Sequence, residues 1–93
     1  MTNRPASAGA KTHRIIMPDL GLPDVRAKVS LWLVPAGRRV QQGDRVVEIL
    51  AGDVTVDLGA PADGLLDAPQ ILEDQPVRTG DVLGSVREPV ENT

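Results

Sequence analysis

From Val25 to Leu33 the odd positions are apolar (Val25, Ala27, Val29, Leu31, Leu33) and the even ones polar, with Trp32 as the exception. A period of two predicts a half-buried strand rather than a helix. The alternation returns at Val54, Val56 and Leu58, which are predicted to face inward. Short apolar runs at Ile15–Met17, Val46–Leu50, Leu65–Leu66, Ile71–Leu72 and Val82–Val86 predict further strands. Between them stand residues 35–37, 42–44, 51–53, 59–64 and 79–81, each with a glycine able to take the positive φ of a tight turn. No segment shows the repeating face of a helix, so the pattern predicts an all-β domain.

The chain also repeats itself. Val40, Gly43, Asp44 and Ile49 recur as Val77, Gly80, Asp81 and Val86, always 37 residues later. Ala27 with Gly64 and Val29 with Leu66 fall on the same offset. Two similar halves of a few strands each predict a quasi-two-fold fold, because each half alone leaves an apolar face uncovered. The expected shared core is Val29, Leu31, Val40, Ile49, Val56, Leu66, Val77 and Val86.

Composition narrows the function. Ninety-three residues make a single domain. Residues 1–12 and 89–93 are small and polar and are expected to be flexible tails or linker, leaving 13–88 as the body. One Trp and no Phe or Tyr leave an aliphatic core. With no cysteine, disulfides and thiolate chemistry are excluded. A net charge of −3 lacks the basic excess of nucleic-acid binders, and no apolar stretch is long enough to span a membrane as a helix. The first eleven residues lack a signal-peptide core, so a cytoplasmic site is expected. Trp32, on the polar side of its strand, is expected to cover the outer surface or mark a contact.

Four motifs then fall in one register. Met17-Pro18-Asp19-Leu20-Gly21 resembles the M-P-x-L-G opening of the biotinyl/lipoyl carrier domains, and Leu31-Trp32-Leu33 with Gly37 resembles their W-L-x-x-x-G. Val46-Val47-Glu48-Ile49 resembles the strand before their modified turn, and Pro61-Ala62-Asp63-Gly64 the P-x-x-G after it. The resemblance, closest to the lipoyl domains of 2-oxoacid dehydrogenase acyltransferases, implies a flattened barrel of two four-stranded antiparallel sheets. It also implies a cofactor lysine at the tip of a hairpin, in D-K-V, D-K-A or M-K-M. Here the aligned residues are Gly52, Asp53 and Val54, and Asp53 stands where the lysine would be.

Lipoate or biotin is attached through an amide to a lysine amine, which a carboxylate cannot supply. The only lysines are Lys11, in the tail, and Lys28, within a predicted strand. No bound cofactor is therefore expected, and lipoate or biotin would need an atypical attachment. No nucleophile–base pair, metal cluster or paired catalytic carboxylates can be assembled, so the domain alone is not expected to be an enzyme. Asp53, Glu48 and Asp57, close to the hairpin tip, form either one acidic patch that a partner recognises or a solvated outer face. Leu22, Pro23 and Asp24, in the loop beside the tip, form either a contact or a loop tucked on the barrel. The expected function is an unmodified lipoyl-like module that binds a protein partner, such as a multienzyme-complex component. Two alternatives stand beside it: a true swinging-arm carrier modified at a non-standard lysine, and the lipoyl-like part of a transport adaptor.

Overall fold

The computed structural model describes residues 11–22 and 26–89. Eight strands run in order: β1 (Thr12–Ile16), β2 (Ala27–Trp32), β3 (Arg39–Val40), β4 (Arg45–Ala51), β5 (Val54–Gly59), β6 (Gly64–Leu66), β7 (Pro76–Val77) and β8 (Val82–Arg87). They form two four-stranded antiparallel sheets, β1-β8-β6-β3 and β5-β4-β2-β7. No helix occurs among the described residues.

The 37-residue repeat is built into the pairing. β2, β3 and β4 correspond to β6, β7 and β8, and the two halves exchange their short strands. Ala27 pairs with Val77 in one sheet, and its counterpart Gly64 pairs with Val40 in the other. The aspartate caps of the two turns match. The Gln41 N–H donates to Asp44 Oδ2 and the Arg78 N–H to Asp81 Oδ2, each at 2.8 Å. Gly43 and Gly80 turn the chain at φ of 91° and 94°. Each Asp caps its turn because its short side chain reaches back to a backbone amide that no strand partner can satisfy.

The core lies between the sheets. Val29, Val40, Ile49, Leu66, Val77 and Val86 are buried as expected, joined by Ile15, Met17, Val46, Val47, Ala60 and Leu83. Leu31 is not part of it, being 45% exposed. A bulge between Val29 and Leu31 inserts Ser30 into β2, so Leu31 opposes Glu48 on the outer face. One extra residue exchanges the faces of everything after it. Trp32 is thereby turned inward rather than onto the outer surface. It packs against the core cluster, and its Nε1–H donates to the Ile71 carbonyl at 2.9 Å.

Two further expectations change on β5 and beyond. Val54 is 50% exposed, and Val56 is only half-buried, as is Leu58. β5 is an edge strand, and Val54 borders its turn. Ile71–Leu72 lies in a bend leading into the Glu73–Asp74 turn rather than in a strand, and the strand in that region is β7. Ile71 still packs on the core, where its carbonyl receives the Trp32 ring.

Candidate functional site

The β4–β5 hairpin reverses in two residues. Ala51 pairs directly with Val54, leaving only Gly52 and Asp53 in the turn. Gly52 takes a φ of 62°, while Asp74 is the only non-glycine with positive φ among the described residues. A left-handed first position followed by an ordinary second one has the φ signature of a type II′ turn, which suits the right-handed twist of the flanking strands. The Gly52 N–H donates to the Arg26 carbonyl at 3.3 Å, tying the tip to the segment that leads into β2.

Asp53 is exposed at this tip. Nine of the other described acidic side chains hold a hydrogen bond or ion pair. Glu48 and Asp53, both on the hairpin, hold none among the described residues. Asp53 is thus a free, solvated carboxylate that offers charge and hydrogen-bond acceptance but no acyl-accepting amine.

A profile for the family described as "Biotin-requiring enzyme" (Biotin_lipoyl) matches residues 13–86, which spans β2 to β7 and the tip and all but the outermost residue of β1 and of β8. The chain belongs to the Biotin_lipoyl family. Among its relatives is the dihydrolipoyllysine-residue succinyltransferase component of the 2-oxoglutarate dehydrogenase complex of Escherichia coli, 37% identical over 76 residues, covering 80% of this chain and 18% of that protein. The dihydrolipoyllysine-residue acetyltransferase component of the pyruvate dehydrogenase complex of Mycobacterium bovis is 30% identical over 81 residues, covering 87% of this chain and 15% of that protein. The corresponding component of the acetoin cleaving system of Pseudomonas putida is 27% identical over 79 residues, covering 85% and 21%. The chain therefore spans about a fifth of the length of these relatives.

Within this Biotin_lipoyl domain the remaining predicted residues separate. Glu48 and Asp57 face each other across β4 and β5, on the outer face. They lie three ladder positions from the turn, about 10 Å at ordinary strand rise. Like charges directly opposite repel, and Arg45 relieves this pair through an Nη1–Asp57 Oδ2 contact of 3.5 Å. The tip carboxylate and this pair are distinct features rather than one patch. Leu22 is exposed and lines a cleft of about 240 Å³ with Met17, Leu20, Ala51, Val77 and Arg78. Pro23 and Asp24 lie outside the described residues. Lys28 sits on the central strand β2, with Nζ 3.3 Å from Asp74 Oδ1.

Two arginines that sequence reasoning passed over lie beside the tip. Arg26 and Arg78 line one cleft of about 420 Å³ with Ala27, Pro76 and Val77. The signal was in the repeat: Arg26 stands 37 residues before Asp63, a reversal of charge at equivalent places.

Proposed function

We propose that this chain is a lipoyl-type domain that works without a covalently attached cofactor, as a protein-binding or structural module. The observation that carries this reading is Asp53. The hairpin that in the resembling carrier domains holds a lysine here ends in Gly52-Asp53, and no lysine follows Lys28. Amide formation needs a free amine that can enter a ligase. Lys28 is half-exposed but projects from the second position of β2, paired with Leu50, and is held by Asp74, so it is not offered on a turn. The residues present at the tip therefore do not fit lipoate or biotin attachment.

The relatives support a protein partner. Two of them are components of 2-oxoglutarate and pyruvate dehydrogenase complexes. By that analogy the partner is a component of a multienzyme assembly of this kind, the site of action is cytoplasmic, and the domain performs no catalysis alone. Kinship with acyltransferase components favours this over a transport adaptor. Intact mass spectrometry after co-expression with lipoate or biotin ligase and cofactor is the test. The natural chain is expected to keep its unmodified mass, and Asp53→Lys is expected to accept a cofactor. An adduct on the natural chain, at Lys28 or elsewhere, would overturn the reading.

A further inference from the structure

We propose that the cleft beside the hairpin tip, bounded by Arg26, Arg78 and the Thr79 amide, is a binding site for a carboxylate on an acidic peptide segment of a protein partner. The molecule contains its own template for this site. At the opposite end of the pseudo-two-fold, the Gln42 N–H donates to Asp63 Oδ1 at 2.7 Å. Gln42 and Asp63 have as counterparts, 37 residues away, Thr79 and Arg26.

The backbone around the two amides is the same. Asp44 N–H donates to the Gln41 carbonyl at 2.9 Å and Asp81 N–H to the Arg78 carbonyl at 3.0 Å. The Gly43 N–H donates to the Ala60 carbonyl at 2.9 Å and the Gly80 N–H to the Met17 carbonyl at 2.8 Å. An amide in the Gln42 geometry takes a carboxylate. The Thr79 amide has that geometry and no partner among the described residues, because position 26 carries a guanidinium in place of the carboxylate. Arg78, the counterpart of Gln41, adds a second cation to the same cleft.

Neither guanidinium has an ion-pair partner among the described residues, whereas Lys28 beside them is held by Asp74. The cleft is thus a cationic spot on a chain whose net charge is −3. Two guanidinium forks lining one cleft, with the Thr79 backbone donor on the adjoining wall beside Arg78, suit a planar anion with two oxygens. Asp19 lies on the adjoining wall with Arg78 and Thr79, which disfavours a doubly charged phosphate. The cleft is partly open to solvent, as fits a side chain presented by a peptide. The tie between Gly52 and Arg26 places this contact against the hairpin tip. The site stands whether or not the tip carries a cofactor.

Amide-resolved NMR titration tests it, with an acetylated, amidated Gly-Asp-Gly-Glu-Gly peptide and its Asn/Gln counterpart. The acidic peptide is expected to shift the Thr79 amide saturably, and the neutral one is not. Arg26→Gln and Arg78→Gln should each weaken binding about tenfold, the loss of one charge-assisted contact. Arg26→Asp should abolish it and move the Thr79 amide without peptide, since the chain would then supply its own carboxylate. Asp63→Arg should create a new response at Gln42. Equal response to both peptides, or a Thr79 response unchanged in Arg26→Gln and Arg78→Gln, would overturn the site. Saturation by sodium acetate at the same concentration as the peptide would overturn its assignment to a peptide.

Discussion

The half built from β2, β3 and β4 and the half built from β6, β7 and β8 share one backbone plan but solve it with different side chains. The first uses Gly37 at a φ of 89° where the second uses Asp74 at 70°. The bonds around these two residues agree: the Gly37 N–H donates to the Leu66 carbonyl at 2.7 Å and the Asp74 N–H to the Val29 carbonyl at 2.8 Å. The first half places Val47 in the core where the second has Gly84, over which the Trp32 ring lies. The backbone hydrogen bonds fix the plan, and side-chain volume is exchanged between the halves around it. What differs between the halves is therefore where function and specificity can reside.

The largest effect expected from breaking this arrangement is at the aromatic side. Trp32→Ala should cost about 3 kcal/mol, the low end for a large-to-alanine change because the ring is only part-buried; chemical denaturation measures it. Restoring symmetry from the other side should also hurt. A Cβ at Gly84 would lie 2.9 Å from the Trp32 ring. Gly84→Val is thus expected to cost about 1–3 kcal/mol by overpacking, and Trp32→Ala should absorb part of that loss in a double-mutant cycle.

Val40 and Val77 sharpen the comparison, since they are counterparts buried in the same core. Val40→Ala and Val77→Ala should each cost about 1–3 kcal/mol and agree within about 0.5 kcal/mol. A large difference between their denaturation midpoints would show that the halves are alike in backbone only. The left-handed positions come next. Gly37→Ala should lose about 1 kcal/mol, because a Cβ is disfavoured at that φ. Asp74→Gly should gain a few tenths of a kcal/mol in thermal unfolding, as relief of the same strain outweighs an exposed pair with Lys28. The smallest effect is expected at the tip, where Asp53→Lys should change stability by less than about 0.5 kcal/mol.

The sequence displayed the repeat because the residues that enforce it, Val, Gly and Asp of the two turns, each have a single local job. The bulge at Ser30 was less visible. Alternation at odd positions runs unbroken from Val25 to Leu33, and an extra residue leaves no gap in such a pattern. Its trace was Trp32 and then Val34, both apolar at even positions and both packed on the core. Ile71–Leu72 looked like a strand because apolar pairs carry no information about pairing; Ile71 serves the core from a bend. The tip was legible from two residues between apolar runs. The arginine cleft was not, because it is a mismatch in the repeat, and matches are what a search for repetition collects.

The two ends of the barrel meet at one place. Thr12, at the start of β1, pairs with Arg87 at the end of β8, and just outside them the Glu88 N–H donates to the Lys11 carbonyl at 2.8 Å. In mechanical terms this is a zipper rather than a lap joint. Tension applied through Lys11 and Glu88 would fall on the outermost bond of the β1–β8 ladder, then on the next, so that the bonds give way in turn instead of sharing the load. The domain would peel open from its ends under a small force, while the β4–β5 hairpin, away from the line of pull, kept its shape.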